Sequence, residues 1–388
     1  MQTLRELSLY QPDTLLLPNL HTLNFKLAQD AVPFARLFLR PCTTEVAIQI
    51  MPESAELLSA LVPDISPDIL RLHISSATSI PDPCQCSAAI FQLIGRSHKL
   101  RDLNIHIASC GLHERIAAIL GRFSSLSRLK ISLIQSSHLR FYTTALGQFP
   151  LLTDFSFEVD DWTSATTIMD SMHCRFTNLA VRAHKHEPLD LSELRTFTES
   201  ISRHRSVSSL THLSLIDFQR LDNTDDQTYV EDILSPLFAL TGLTSVNLTG
   251  EMFSYLGNSW YADAATAWPS LESICILSSL RNAKMTLAGL IPLVQHCTKL
   301  ESVALRLDAQ PFDPTQVNDI SNPNIRRLCL DTYIVPSPRD VFLSLIKIFP
   351  NLEDVYQVSQ FPLRRWDEVN QMLDESAVRR RGPRIFTW

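Results

Sequence analysis

One six-residue pattern recurs along the chain and constrains it more than any other feature: apolar, two variable residues, apolar, one variable residue, apolar. It reads Leu4-Leu7-Leu9, then Leu20-Leu23-Phe25, with a weaker copy at Val46-Ile48. Ile69-Leu72-Ile74, Leu100-Leu103-Ile105, Leu126-Leu129-Ile131, Leu152-Phe155-Phe157 and Phe176-Leu179-Val181 follow. The series continues with Leu210-Leu213-Leu215, Leu243-Val246-Leu248, Leu271-Ile274-Ile276, Leu300-Val303-Leu305 and Ile325-Leu328-Leu330. A degraded copy starts at Leu352 and Val355 and puts Gln357 in the third apolar slot. From Ile69 onward the copies begin 24 to 34 residues apart.

The last two apolar residues of a copy are two apart, so they share one face of a short strand. The position before the second apolar residue reads Glu6, Thr22, Glu45, Arg71, Asp102, Arg128, Asp154, Asn178, His212, Ser245, Ser273, Ser302, Arg327 and Asp354. None is apolar, although apolar residues make up 45% of the chain. The alternation predicts a parallel ladder of short strands with one buried face and one wet face.

Helical stripes lie between the strands. Ala89, Ile90, Leu93 and Ile94 have helix spacing, as do Ile116, Ile119 and Leu120. So do Val230, Ile233, Leu234, Leu237 and Phe238, and then Leu287, Leu290, Ile291 and Val294. Val341, Leu345 and Ile348 make the last clear stripe, and each stripe is expected to face inward. Phe149-Pro150, Trp268-Pro269 and Phe349-Pro350 precede strands, where proline stops the helix and extends the chain. The predicted fold is an α/β solenoid, a horseshoe with parallel strands on its concave face and helices on its convex face. An array of about thirteen irregular units is predicted over 1–351. A last degraded repeat, a capping helix with Trp366, Val369, Met372 and Leu373, and a basic tail from Arg379 are predicted over 352–388.

The L-x-x-L-x-L strand followed by a helix resembles a leucine-rich repeat of the long intracellular kind. The F-P-x-L-x-x-L-x-L junctions and irregular lengths are similar to the repeat regions of fungal F-box proteins. That resemblance implies the substrate-recognition part of an SCF-type ubiquitin ligase receptor, in which an N-terminal F-box docks on the ligase adaptor and the repeats hold the target. The repeats here begin at Leu4 and nothing resembles an L-P-x-E F-box start, so the SCF adaptor is an expected partner only if an F-box lies upstream. A first unit at Leu4 with no cap is expected to leave an open apolar edge. The alternatives are a free-standing interaction scaffold unrelated to ubiquitin and, ranked lower, a regulator of a small GTPase. Ran GTPase-activating proteins share the repeat type but carry a long acidic tail, whereas Arg379, Arg380 and Arg381 stand here.

The remaining composition narrows the function. A net charge of −7 argues against nucleic acid as a partner, since a phosphate-binding surface needs excess Lys and Arg. Only nine Gly occur, with no G-x-G-x-x-G or P-loop pattern, so no nucleotide cofactor is expected. The eight Cys are scattered and read as reduced apolar fillers. With neither a basic-then-apolar start nor a long apolar run, the expected location is cytoplasm or nucleus, away from membranes. No G-x-S-x-G, H-E-x-x-H or kinase set is visible, so the chain is read as a binder and not an enzyme.

Protein-partner contacts are expected on the concave face, at Arg71, Asp102, Arg128, Lys130, Asp154, Glu158, Arg182 and His212. A second candidate set is the aromatics of an apparent loop, Phe253, Tyr255, Trp260 and Tyr261, which is hot-spot material if exposed. Cys84 with Cys86, Cys110 with His113, His184 with His186 and His296 with Cys297 lack structural zinc spacing. The Asp222–Asp226 run lacks the Gly and distal Glu of an EF-hand, so no metal is expected. The sequon at Asn247 lies inside a predicted strand and reads as coincidence.

Overall fold

The computed structural model describes residues 19–27, 38–39, 43–51, 55–76, 83–106, 119–120, 122–134, 149–184, 190–217, 229–278, 283–317, 320–332, 334–357 and 364–381. The first copy at Leu4, the Asp222–Asp226 run and Arg384 lie outside them. Among the described residues thirteen strands are ordered as in the chain, β1 to β13, in a parallel sheet. The α/β solenoid expected from the repeat is therefore what forms. The chain divides into two compact units, Met1–Val181 and Arg182–Trp388, and the division falls within β7 (Asn178–Ala183).

The first unit holds β1 (Thr22–Leu27), β2 (Glu45–Ile50), β3 (Arg71–Ser76), β4 (Asp102–His106), β5 (Arg128–Ile134) and β6 (Asp154–Val159). Its helices are α1 (Ala55–Leu61), α2 (Pro83–Arg96) and α3 (Trp162–Ser171). Strand pairing keeps the repeat in register: Leu72 faces Leu103, Leu103 faces Leu129, and Leu129 faces Phe155. Equivalent side chains therefore stack in rows about 4.8 Å apart. The apolar rows are buried, as at Ile48, Ile74, Leu103, Leu129 and Phe155. Truncating a fully buried member such as Leu103 to Ala costs about 2–5 kcal/mol, for lost transfer energy and the cavity left behind. Helix α3 starts where Asp161 Oδ1 accepts from Ser164 N at 2.7 Å, one carboxylate satisfying an otherwise orphaned N–H.

The second unit holds β8 (His212–Asp217), β9 (Ser245–Thr249), β10 (Ser273–Leu277), β11 (Ser302–Arg306), β12 (Arg327–Asp331) and β13 (Asp354–Tyr356). Its helices are α4 (Leu191–Arg203), α5 (Val230–Leu234), α6 (Asn258–Ala267), α7 (Leu290–His296), α8 (Pro338–Ile348) and α9 (Arg364–Arg381). Gly250, just after β9, has φ 158°, and a Cβ there would lie 2.7 Å from the Asp217 carbonyl oxygen. Only glycine lets the two strand ends approach this closely. Phe349 and Trp268 of the aromatic-proline pairs are buried, and Trp268 Nε1 donates to Leu237 O in the preceding repeat at 3.3 Å.

The backbone at most strand entries is satisfied by a device that the apolar pattern does not show. One carbonyl accepts from two successive N–H groups of the next repeat: Thr153 N and Asp154 N both donate to Ser127 O, at 2.9 and 3.1 Å. The same arrangement recurs at Arg101 O, Thr153 O, Thr211 O and Thr244 O. A Ser or Thr hydroxyl often adds a further donor, as from Thr153 to Ser127 O at 3.2 Å and from Thr177 to Thr153 O at 3.1 Å. The Ser and Thr residues at 44, 127, 153, 177, 211 and 244, one place before the strand, are the sequence signal for this ladder.

The last strand is finished by α9. Asn370 Oδ1 accepts from Val355 N at 2.9 Å and Asn370 Nδ2 donates to Val355 O at 2.8 Å. One amide thus satisfies both backbone groups of a residue on the terminal strand. Trp366, Val369 and Leu373 of α9 are buried. An open strand edge invites further pairing, and this helix covers it.

Candidate functional site

The side chains that alternate with the buried rows make up the other face of the strands. In the first unit the outermost row is Thr22, Glu45, Arg71, Asp102, Arg128 and Asp154, one residue per strand. Its charges alternate in sign, and neighbours pair: Thr22 Oγ1 donates to Glu45 Oε2 at 3.3 Å. An Arg71 guanidinium nitrogen (NH1) lies 3.3 Å from Glu45 Oε2, and one of Arg128 lies 3.5 Å from Asp102 Oδ2. Asn178 Nδ2 donates to Asp154 Oδ2 at 3.4 Å, closing the row. Burial raises the Asp102 carboxyl above the usual carboxylate range, with Arg128 and Arg71 opposing that rise. The row is therefore a self-neutralising charge ladder.

The next row inward is Ala47, His73, Asn104, Lys130 and Ser156. Asn104 Nδ2 donates to His73 Nδ1 at 3.1 Å, which requires that ring nitrogen to be unprotonated. Burial, with Lys130 and His106 adding positive charge, lowers the His73 pKa below its ordinary value. In the third row, His106 Nδ1 and Ser132 Oγ share a hydrogen bond.

Of the expected partner-facing residues, Arg71, Asp102, Arg128, Lys130 and Asp154 lie together on this face. Glu158 does not belong to the open set: it is 4% exposed. The β5–β6 register shifts beside it: Ile131 faces Phe157 and Ile134 faces Val159, so two residues of β5 oppose Glu158 alone. Arg182 is half-buried on β7. His212 is exposed on β8, its Nδ1 2.8 Å from Thr211 Oγ1.

The same face of the second unit carries little charge. Its outer row is His212, Ser245, Ser273 and Ser302 in register, and the next is Ser214, Asn247, Cys275 and Ala304. Asn247, the sequon residue, sits on this face, and its Nδ2 donates to Ser214 Oγ at 3.1 Å. An ion pair stands at the strand ends: an Arg306 guanidinium nitrogen (NH1) is 2.8 Å from Asp331 Oδ2 and also donates to Ser278 O. These two residues are 7% and 6% exposed. Exposed pairs return at the last strands, Arg326 with Glu353 and Arg327 with Asp354, both at 3.5 Å. There Arg327 stacks over Tyr356 with 5.0 Å to the ring centroid, beside an open cleft of ≈ 710 Å³ lined by Glu301, Asn324, Arg326 and Asn351 among others.

The second candidate set is corrected by the structure. Phe253, Trp260 and Tyr261 are buried, and Tyr255 is half-buried. The segment is not a loop. It is a 3₁₀ turn (Glu251–Tyr255) leading into α6, where Trp260 lies 5.3 Å from Tyr261 and 5.8 Å from Trp268. Large apolar rings gain more from packing with Phe238 and Trp268 than from staying wet, so they fill the core of this 28-residue repeat.

Among the described residues, no group of three or more His, Cys, Asp or Glu could hold a metal ion. No described helix is long and apolar enough to cross a membrane. Burial pushes the Cys174 thiol up to about 12 and that of Cys297 to about 11, the range of inert core sulfur.

No protein-family model matches the chain, and no curated protein matches it. Among solved structures it is similar to Rad7 of the yeast Rad7–Elc1 complex, at 13% identity and a TM-score of 0.47, over 86% of this chain and 76% of that one. The leucine-rich-repeat protein LegL7 of Legionella pneumophila matches at 13% identity and a TM-score of 0.44, over 91% and 98%. An internalin, InlF of Listeria monocytogenes, matches at 14% and 0.34, over 93% and 94%. The register-stacked parallel sheet with its helices is that of an α/β leucine-rich-repeat solenoid.

Proposed function

We propose that this chain is a protein-binding scaffold whose partner lies across the strand face. The observation that carries the reading is the register of the strands. It holds polar and charged side chains in fixed rows on a hydrogen-bonded sheet, a preorganised surface whose ordering cost is met in folding and not in binding. The contacting residues on this reading are Arg71, Asp102, Arg128, Lys130 and Asp154, with Arg182 and His212. The chemistry on that face suits recognition better than catalysis: acids and bases of the outer row neutralise one another.

The finer reading is a substrate receptor of the SCF type acting in cytoplasm or nucleus. It rests on the resemblance of the Phe149-Pro150 and Phe349-Pro350 junctions and their following repeats to fungal F-box proteins.

Site-specific photo-cross-linking tests both levels. A benzophenone side chain replaces Ser156 or Ser273 on the strand face, and in separate proteins Gln92 or Asp263 on exposed helix positions. Expected is a discrete protein adduct from the strand positions alone. Adducts confined to the helix positions, or none anywhere, overturn the scaffold reading. Adaptor and cullin in the same capture support the ligase role; a strand-face adduct without them leaves a free-standing scaffold.

A further inference from the structure

The outer row of the first unit uses its own charges: Glu45 is held by Arg71 and Thr22, Asp102 by Arg128, and Asp154 by Asn178. Lys130 is left out of this arrangement. It is exposed, its register neighbours are the neutral Asn104 and Ser156, and it makes no ion pair among the described residues. His73 is two strands away in the same row, about 9.5 Å at sheet spacing, and His106 lies one row further along β4. Glu158, the other acid of β6, is buried beside the register shift. The result is a patch of one lysine and two histidines without an accessible acid of their own, on a chain whose net charge is −7.

We infer that this patch binds an acidic stretch of a partner protein, with Lys130 as the anchor and His73 and His106 as its flanks. The inference rests on the scaffold reading and names the class of partner for the first unit. Charge complementarity selects the occupant: a basic segment would meet an unpaired lysine here, while an acidic one gains an ion pair and leaves the ladder intact. The groups that face His73 are Glu45 on β2, Arg71 on its own strand, Asp102 and His106 on β4, and Arg128 and Lys130 on β5. Lys130 and His106 weigh against its protonation more than Asp102 favours it, so positive charge is in local excess. An acidic ligand reverses that balance. Protonation of His73 then takes Nδ1 from acceptor to donor, and a rotated Asn104 amide meets it with Oδ1, an atom that is buried with no hydrogen-bond partner in the protein. Binding is therefore expected to take up protons.

The test is fluorescence anisotropy of the full chain with a labelled oligoglutamate of about ten residues, at low salt, against an oligolysine of equal length. Expected is saturable oligoglutamate binding that weakens on the order of tenfold in Lys130→Glu and is unchanged in Lys299→Glu, an exposed lysine of the second unit. Affinity should rise between about pH 7.5 and pH 6, and His73→Gln should reduce that rise. Circular dichroism melts confirm that the exposed substitutions leave the fold intact. Oligoglutamate that fails to bind, that binds no better than oligolysine, or that ignores Lys130→Glu overturns the inference. If that happens while strand-face cross-links still form, the acidic partner alone is lost; if the cross-links fail too, the scaffold reading falls with it.

Discussion

The two units build the same strand ladder and distribute charge along it differently. In the first, Glu45, Arg71, Asp102, Arg128 and Asp154 stand in an open row on the strand face. In the second, the same row reads His212, Ser245, Ser273 and Ser302 before an exposed pair, Arg327 with Asp354, ends it, and a further charge pair is sunk at the strand ends as Arg306 and Asp331. Exposed pairs in water contribute little to stability, so the ladder adds little to holding the fold. A buried pair cannot relax into solvent, so losing either partner strands a charge. The repeat sets where a side chain points; the local packing decides whether a charge there is a surface feature or a structural one.

The largest effect expected from this contrast is at Arg306. Arg306→Met should destabilise the chain by about 3–5 kcal/mol, leaving Asp331 buried and unpaired, and Arg306→Met with Asp331→Leu should recover much of the loss. Urea denaturation followed by circular dichroism measures it. A single substitution as mild as one in the ladder would break the contrast between the units.

Asn370→Ala comes next. It removes both hydrogen bonds to Val355 and leaves that backbone amide and carbonyl without their partner, a cost of about 1–3 kcal/mol. Amide exchange should accelerate first at β13 and α9. Unchanged protection of Val355 would mean that the apolar side of α9 alone closes the edge.

A smaller effect is expected in the ladder. Glu45→Ala or Arg71→Ala should change stability by about 0.2–1 kcal/mol, and the difference should shrink as salt rises. Loss of several kcal/mol in moderate salt would place the ladder with the buried pair after all.

The smallest is a pH effect at His73. Its pKa is lowered in the folded chain, so the unfolded chain takes up the proton first as pH falls. The stability linked to this ring is complete above the ordinary value of about 6.5 and is lost as pH falls through and below it. His73→Gln should flatten that part of the stability profile between about pH 7.5 and pH 5.5. An unaltered profile would show that Lys130 and His106 do not repel the charge as their placement implies.

Much of this was legible in the residues. The spacing of Leu100, Leu103 and Ile105 and of its copies implies the strands, their parallel order and the buried face, and the amphipathic stretch from Trp366 implies a covering helix. The candidate site was readable in part. Arg71, Asp102, Arg128, Lys130 and Asp154 fall on the strand face because alternation is a property of the extended backbone itself. The same rule failed at Glu158, where the β5–β6 register shifts just past Ile131, and the apolar spacing carries no sign of that extra residue. It failed again at Phe253, Trp260 and Tyr261. A gap between repeats reads as a loop, yet aromatic rings with helix spacing fold back into the core.

Sequence alone therefore determined the repeat and its two faces, because periods of two and near four are imposed by local backbone geometry and by the gain from burying apolar surface. Only the tertiary structure decided which polar residues meet. Arg306 with Asp331 are 25 residues apart, Asn370 with Val355 are 15, and His73 with Asn104 are 31. These pairings depend on the lengths of the intervening segments and on strand register, which no local pattern encodes. They are also what fixes where charge is buried, where the last described strand is covered, and which polar groups of the strand face meet.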